Sequence, residues 1–249
     1  MHIAIIGKGT SAIITALKCI KSGHQVTIYS DPSKPHLSVG ESTTPIIQGL
    51  LHEVLDLNIH NLCEQEITSL KTGIKFINWG KGVDFYHNFQ QTVAFHFETS
   101  KFNPFIHEIL KDSGLVEYIE EKVNGYRVLN DLVNVNQRFY NFVVFCSGWE
   151  DENEYYEPLL ETVNSGILYT QESVDIDSTY TIHRATEDGW QFGLPFPKSG
   201  ITKCGYLYDR NITSTEEIKD KMKHLGSEKF IEWTPRYAKK LIQNKHCAY

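Results

Sequence analysis

The sequence of 249 residues lacks a long basic run, and its acidic residues outnumber its basic ones to give a formal net charge of -7. General binding of nucleic acid or of anionic membranes needs clustered lysine and arginine, so we expect neither partner. No apolar stretch approaches the roughly 20 residues of a transmembrane helix. The first apolar run is interrupted at Lys8 without a cleavage-like end, so we expect no signal peptide.

Cysteine is sparse and scattered. The five cysteines lie far apart, their number is odd and no CxxC pair occurs, which argues against a zinc site and against a disulfide framework. His107 and Glu108 are not followed by a histidine at the spacing of zinc proteases, and no G-x-S-x-G hydrolase motif is present. We therefore expect no metal and a reduced, cytoplasmic setting.

The first 30 residues follow a strand–turn–helix–strand pattern. Residues 3–6 form a short apolar run, which is typical of a strand buried in a parallel sheet. Residues 11–22 carry apolar side chains at helical spacing, and Gly23 is placed to end that helix. Residues 25–30 read as a second strand. This βαβ beginning predicts an α/β fold of the Rossmann type.

The turn between the first strand and the helix, GKGTSA at residues 7–12, matches the dinucleotide-binding pattern G-x-G-x-x-G/A. In that pattern Gly7 permits the tight turn, Gly9 lets a pyrophosphate approach the backbone, and Ala12 allows the helix to pack closely on the strand. The helix N-terminus offers free N–H groups and the positive end of the helix dipole. Asp31 comes about one residue late for the acidic residue that holds a ribose hydroxyl, and Ser30 occupies the expected position.

Four other segments bear on the fold. Residues 31–45 show no helix or strand pattern, and we interpret them as a ligand-contacting loop that presents amides and hydroxyls at residues 40–43. Helices are predicted at residues 46–57 and from about 102 to 114. Strands are predicted at residues 116–123 and 142–146, with Ser147 and Gly148 at the end of the latter. Beyond residue 215 we expect two helices, at residues 216–226 and 235–244, and then the start of a strand.

Residues 70–79, LKTGIKFINW, are predicted to form one strand with Lys71, Ile77 and Trp79 on the same face. A solvated lysine at the start of an edge strand is a common guard against aggregation. A lysine that faces apolar groups is partly desolvated instead, which favours its neutral, nucleophilic form. Lys71 is therefore a candidate catalytic residue.

Seven motifs occur in the order that they have in one enzyme family. They are GKGTSA, VGESTTP (39–45), LKTGIKFINW, AFHFETSKFNPFIHEIL (94–110), FCSGW (145–149), DGWQFGLPFP (188–197) and GYLYDRNITSTEE (205–217). With them the chain resembles the flavin-dependent tryptophan halogenases, in particular phage-type members. The resemblance implies a glutathione-reductase-type FAD/NAD(P)-binding Rossmann-like fold with an inserted antiparallel sheet region. It also implies one domain over residues 1–249, with its substrate-side sheet roughly at 65–100 and 160–212.

The chemistry implied by the resemblance uses FAD that a separate flavin reductase supplies in reduced form. Reduced FAD, oxygen and halide give hypohalous acid, which Lys71 activates for halogenation of an electron-rich aromatic small molecule. The resemblance and the turn pattern together assign cofactor contacts to Gly7, Gly9, Thr10, Ser11, Ala12, Ser30, Asp31, Gly40, Glu41, Ser42, Thr43, Val123, Ser147 and Gly148. They place Trp79, Trp190 and Phe192 on the substrate side.

Two departures from the family pattern keep other readings open. The family has a second tryptophan where this sequence has Phe192, which makes an FAD-dependent monooxygenase the second hypothesis. The sequence ends at Tyr249, ahead of the family segment that resembles GFLEPLESTS and holds a catalytic glutamate. The expectation is therefore a chain truncated at its C-terminus and inactive alone. The third hypothesis is a non-catalytic flavin-binding fragment, or one half of a split protein with a separate C-terminal half.

Overall fold

The protein is described by a computed structural model over residues 1–34, 40–148, 156–160, 162–172, 179–224, 228–243 and 245–248. Its helices are α1 (Thr10–Lys21), α2 (Ile46–Leu55), α3 (Ile59–Glu64), α4 (Thr99–Asp112) and α5 (Thr215–Met222). The strands of the first half are β1 (His2–Ile6), β2 (Gln25–Tyr29), β3 (Glu41–Ser42), β4 (Thr68–Lys71), β5 (Gly73–Ile77), β6 (Phe85–Asn88), β7 (Ala94–Phe97), β8 (Val116–Ile119), β9 (Tyr126–Leu129), β10 (Leu132–Val135), β11 (Arg138–Tyr140) and β12 (Phe142–Phe145). Those of the second half are β13 (Tyr156–Pro158), β14 (Ser165–Gln171), β15 (Tyr180–Ala185), β16 (Gly189–Phe196), β17 (Ile201–Tyr208), β18 (Glu228–Glu232), β19 (Arg236–Ala238), β20 (Ile242–Gln243) and β21 (Cys247–Ala248).

A six-stranded sheet with the order β20-β21-β12-β1-β2-β8 forms the first layer of the fold. All its pairs are parallel except β20 with β21. Alternate residues of β1 face opposite sides. Ile3 and Ile5 pack in a core with α1, α2 and α4, whereas Ala4 packs against the antiparallel meander β9-β10-β11. The helix–sheet–meander layering confirms the predicted Rossmann-like α/β fold.

A second sheet of seven strands, with the order β18-β14-β17-β16-β15-β5-β6, is antiparallel except for the pair β15–β5. Six of its strands come from the two regions expected to form the inserted sheet, and β18 lies outside both of them. Helix α5 packs on it through Ile218 and Met222, against Ile167 and Tyr208. A small antiparallel sheet, β3-β7-β4, connects the two layers, since Phe95 and Phe97 of β7 belong to the core of the first. The Ser69 hydroxyl of β4 donates a hydrogen bond of 2.5 Å to the Pro195 carbonyl of the second sheet.

The prediction of one strand over residues 70–79 is wrong, because the chain changes sheet at Thr72. Lys71 pairs with Ala94 in the small sheet, and Gly73 pairs with Asn88 in the large one. The Thr72 amide leaves both ladders and donates to the Thr179 carbonyl at 2.7 Å. A Cβ at Gly73 would lie 2.4 Å from the carbonyl oxygen of His87, so this crossing between sheets requires glycine.

The segment expected to be an unstructured loop, residues 31–45, contains strand β3, which pairs with β7. Residues 35–39 of that segment lie outside the described residues. The helix predicted from about residue 102 begins at Thr99, because the Glu98 side chain caps it by accepting from the Ser100 amide.

The helix predicted at residues 235–244 is also wrong. Its described residues contain β19, which pairs with β13, and β20, which pairs with β21. These tertiary partners override the local helical spacing of the apolar residues. The expected strand start after it is confirmed as β21. In the described part of the chain, no helix is long and apolar enough to cross a membrane.

Candidate functional site

The turn after β1 forms an open cradle at the N-terminus of α1. Gly7 adopts φ +124°, and a Cβ there would lie 2.1 Å from the carbonyl oxygen of Cys146. Gly9 is the N-cap residue of α1, no side chain caps this helix end, and a Cβ at Gly9 would meet no atom within 4 Å. The first turn of α1 therefore has free N–H groups beside open space, which suits an anionic phosphate. Ala12 is fully buried under the helix, as the motif predicts.

The end of β12 lies against this cradle. Gly7 is packed against Cys146 and Ser147, and Thr15 Oγ1 lies 3.6 Å from Cys146 Sγ. Burial raises the pKa of the Cys146 thiol, so it stays protonated at neutral pH. Gly148 follows with φ +82°. The structure thus brings Ser147 and Gly148 next to the phosphate turn, as expected for the carboxyl end of a parallel strand.

Residues 40–43 connect the cradle with the lysine. Surrounding protein raises the pKa of Glu41, although solvent reaches its side chain, and a hydrogen bond from Thr10 opposes that rise. The amides of Gly40 and Thr43 are already used, since they donate to Thr99 Oγ1 at 3.2 Å and to the Phe95 carbonyl at 2.8 Å.

Lys71 is buried, with 5% of its surface exposed. Its Nζ donates to Ser42 Oγ at 2.6 Å and to the Thr43 carbonyl at 3.3 Å, and it lies 5.2 Å from the centroid of the Phe89 ring. No carboxylate of the described residues forms an ion pair with it, and desolvation lowers its pKa to about 8. Because β4 and β5 belong to different sheets, the aromatic neighbour of Lys71 is Phe89, not Trp79 as expected from a single strand.

The buried Lys71 should make stability depend on pH in an unusual direction. The folded chain releases this proton near pH 8 and the unfolded chain near the ordinary lysine value of 10.5, so the unfolded state binds more protons between these values. Stability therefore rises with pH across that window, and the charged lysine costs the fold about 3 kcal/mol at neutral pH. We expect Lys71→Met to be more stable than the parent chain near pH 7, by up to about that amount.

Urea unfolding of the parent and of Lys71→Met, near pH 7 and near pH 9.5, measures this difference. The advantage of the variant should shrink at the higher pH. Tyrosines and cysteines that titrate in the same range affect both chains equally, so they cancel in the comparison. A variant less stable than the parent near pH 7 would show that Lys71 contributes favourable interactions and is not a desolvated cation.

A chain of hydrogen bonds continues from Lys71 into the protein. Ser42 Oγ lies 3.0 Å from Thr181 Oγ1, which lies 2.9 Å from His96 Nε2. His96 Nδ1 lies 3.1 Å from Ser69 Oγ. His96 is fully buried, and desolvation, followed by the charge of Lys71, lowers its pKa to about 3. His96 is therefore neutral at physiological pH.

Half-buried aromatic rings lie on the neighbouring face of the large sheet. His183 is 5.0 Å from the ring centroid of Trp190 and 5.5 Å from that of Phe76, and its carbonyl accepts from Trp79 Nε1 at 3.2 Å. Phe192 is 6.2 Å from Trp190, and a Cβ on Gly205 would lie 2.2 Å from the Phe192 ring. Desolvation, followed by the charge of Lys71, lowers the pKa of His183. The predicted Trp79, Trp190 and Phe192 thus share one aromatic surface beside the lysine.

Ser30 and Asp31 follow the end of β2. Asp31 Oδ1 accepts from the amide of Ser33 at 2.9 Å and from its hydroxyl at 2.6 Å, and these bonds lower its pKa. Lys122 also lowers that pKa, which places the segment of Val123 near Asp31. Ser30, Asp31 and the segment of Val123 thus lie at the end of β2, apart from Lys71, and their contact with a ribose stays a prediction.

Three polar residues were missed as site residues. They are His96, His107 and Thr181, none of which is among the site residues predicted from the sequence. His107 Nε2 lies 3.0 Å from the Lys8 carbonyl and Nδ1 lies 2.8 Å from the Tyr118 hydroxyl, so it holds the phosphate turn. The available sequence signal for His96 was its position in the otherwise apolar run AFHF. A polar side chain that is buried with such a run needs hydrogen-bond partners.

Comparisons with known proteins agree with this geometry. Residues 2–94 match the model of the tryptophan halogenase family. The tryptophan 7-halogenase RebH of Lentzea aerocolonigenes is 31% identical over 104 residues, which are 35% of this chain and 20% of that protein. The tryptophan halogenase of Shewanella frigidimarina has a TM-score of 0.82 at 16% identity, over 100% of this chain and 65% of that one. A flavin-dependent halogenase of Xanthomonas campestris has a TM-score of 0.81 at 16% identity, over 99% and 64%.

The chain thus spans about two thirds of the length of these solved halogenases, and its match to the curated relative covers a fifth of that protein. The sequence match lies in the part that contains the phosphate turn, residues 40–43 and Lys71, while the structural match extends over the whole chain. Residues 2–94 thus match the tryptophan halogenase family model, and the fold of the chain is that of solved flavin-dependent halogenases.

Proposed function

We propose that this chain is the FAD-binding and lysine-bearing part of a flavin-dependent halogenase, and that Lys71 is its catalytic amine. The observation that carries the proposal is the position of Lys71. It is buried without a carboxylate partner among the described residues, and Ser42 and Thr43 join it to the segment that contacts the phosphate turn. A lysine of lowered pKa in such surroundings is typical of a functional nucleophile.

FAD fits the cradle on three grounds: the uncapped α1, the open space above Gly9 and the contact of Gly7 with the end of β12. The pyrophosphate would be held by the backbone of residues 7–12, and the ribose edge by Ser30, Asp31 and Val123. Glu41, Ser42, Ser147 and Gly148 would border the remainder of the cofactor. When bound in reduced form, FAD would supply the oxidising chemistry that converts halide, with oxygen, into hypohalous acid.

Lys71 would act on that acid with the lone pair of its neutral amine. The amine nitrogen attacks the halogen atom, the oxygen–halogen bond breaks, and the departing hydroxide takes one amine proton and leaves as water. The products are a haloamine and water, so atoms and charge balance. A pKa of about 8 leaves a useful fraction of amine at neutral pH, whereas a solvated lysine near 10.5 would leave almost none.

We assign the substrate to the aromatic surface of Trp79, Trp190 and Phe192, because a cluster of neighbouring aromatic rings favours an electron-rich aromatic ligand. In this proposal the large sheet is the substrate side of a single domain. A separate flavin reductase would supply reduced FAD in a cytoplasmic setting, and halide would be the second small substrate.

The direct test is a coupled assay that contains the chain, FAD, a flavin reductase with its nicotinamide donor, oxygen and bromide or chloride. A panel of indoles and phenols is followed by mass spectrometry. Halogenated product that requires halide, FAD and the chain would support the proposal. A hydroxylated product independent of halide would indicate the monooxygenase favoured by Phe192. FAD binding without either product would leave a flavin-binding module.

A further inference from the structure

The positions of the hydrogens can be assigned for the series of hydrogen bonds that begins at Lys71. The chain runs from Lys71 through Ser42, Thr181, His96 and Ser69 to the Pro195 carbonyl, with all links between 2.5 and 3.1 Å. A backbone carbonyl only accepts, so the single hydrogen of the Ser69 hydroxyl is used there. His96 Nδ1 must then carry a hydrogen and donate to Ser69. A hydrogen bond with the Pro195 backbone also raises the pKa of His96, as expected when a ring nitrogen that carries a hydrogen donates to a carbonyl.

Because His96 is uncharged, the directions of the remaining hydrogen bonds, between His96 and Lys71, are also determined. A neutral imidazole with a hydrogen on Nδ1 has an unprotonated Nε2, which accepts from Thr181. The Thr181 oxygen in turn accepts from Ser42, and the Ser42 oxygen accepts from Lys71. Each hydroxyl hydrogen therefore points away from the lysine, and Ser42 presents only lone pairs to it.

This direction matters for the amine form of Lys71. A neutral amine has two hydrogens and one lone pair, and the site offers it two acceptors, Ser42 Oγ and the Thr43 carbonyl. Both hydrogens are satisfied, and no donor of these two residues occupies the lone pair. If the Ser42 hydrogen could turn toward Lys71, it would bind the lone pair and reduce nucleophilicity, since that bond must break before the amine reacts.

We propose that His96 is a positioning residue that, through Thr181 and Ser42, keeps the lone pair of the Lys71 amine free to react. The proposal rests on the proposed role of Lys71 as the catalytic amine. Desolvation, followed by the charge of Lys71, lowers the pKa of two described histidines, His96 on β7 and His183 on β15, and both are neutral at physiological pH. Glu41, the neighbour of Ser42 on β3, hydrogen-bonds Thr10.

The test measures Lys71 itself and needs no flavin. The intact chain is labelled with trace acetic anhydride from about pH 6 to pH 11, and the acetylation rate of Lys71 is quantified by mass spectrometry against exposed Lys81. The midpoint of the profile reports the pKa, and the plateau at high pH reports the nucleophilicity of the amine.

The variant Thr181→Val keeps the shape of the side chain but removes the hydroxyl that orients Ser42. We expect the plateau rate of Lys71 to fall about fivefold to tenfold, without a rise of the midpoint, because the released Ser42 hydrogen binds the lone pair. Adding Ser42→Ala to this variant removes that hydrogen and should restore the plateau. Thr179→Val, which removes a half-buried hydroxyl that pairs with Thr72, should leave the profile unchanged.

A merely structural role of the hydrogen-bonded chain gives a different result. Loosened packing around Thr181 would admit water, raise the midpoint toward 10.5 and leave the plateau intact. That outcome would overturn the proposal, as would an unchanged profile or a low plateau that Ser42→Ala fails to restore. If Thr181→Val lowers the plateau and Ser42→Ala restores it, but no halogenation is detected, the proposed function is contradicted and the positioning of the amine stands.

Discussion

Replacing Lys71 by methionine should lower halide-dependent product formation by at least about 100-fold, the range lost when a single catalytic group is removed. The amine is expected to be the group that carries the halogen, and methionine fills the same buried space without a nucleophilic nitrogen. Since the uncompensated charge is removed, the variant should be at least as stable as the parent, so the loss cannot be attributed to unfolding.

The matched control is Lys75→Met. Lys75 is half-buried on β5, with its Nζ 5.6 Å from the centroid of the Tyr86 ring, and strand alternation directs it away from the face of Phe76. Its replacement should leave product formation and FAD affinity near the parental values. Undiminished halogenation by Lys71→Met would sink the catalytic assignment. Loss in both variants would indicate that general charge near the sheet matters, not one amine.

The second large effect concerns FAD binding. Gly9→Val should weaken FAD binding by at least about 100-fold, equivalent to roughly two charge-assisted hydrogen bonds to the pyrophosphate. A side chain at Gly9 meets no protein atom within 4 Å, so the fold accepts it. The space that it fills is the space above the uncapped end of α1. Titration of the chain with FAD, followed by flavin fluorescence, measures the change.

Two further glycine variants separate binding from folding. Gly49→Val lies on an exposed face of α2 with open space around it, and it should change neither stability nor FAD affinity appreciably. Gly7→Ala forces a Cβ to within 2.1 Å of the Cys146 carbonyl at φ +124°, and it should cost about 2–4 kcal/mol of stability. If Gly9→Val binds FAD as tightly as the parent, the pyrophosphate does not lie on this turn.

The sequence was most informative where the relevant contacts are local. The phosphate turn lies within the first twelve residues, where the order of strand, turn and helix follows from residue type and spacing. Helix α2 and strand β12 were likewise predicted from their own periodicity. The family motifs identified Lys71, but its surroundings were predicted from a strand that does not exist.

The errors arise where two distant segments compete for one piece of chain. Residues 70–79 look like one strand, yet Ala94 and Tyr180 attract the two halves into different sheets. Residues 235–243 have helical spacing, yet β13 and β21 supply strand partners. Period and propensity register only neighbours along the chain, so they cannot report such a choice.

By itself the sequence determined the α/β fold and the glycine turn at residues 7–12, because both depend on residue type and local spacing, and its resemblance to a family singled out Lys71 as the candidate catalytic residue. Only the tertiary structure decided that Lys71 is buried against Phe89 and that successive hydrogen bonds connect it to Ser42, Thr181 and His96. Lys71, Ser42, Thr181 and His96 come from four strands of two sheets. The pKa of the amine and the direction of its hydrogen bonds arise from desolvation and from partners up to 139 residues apart, which no local pattern encodes.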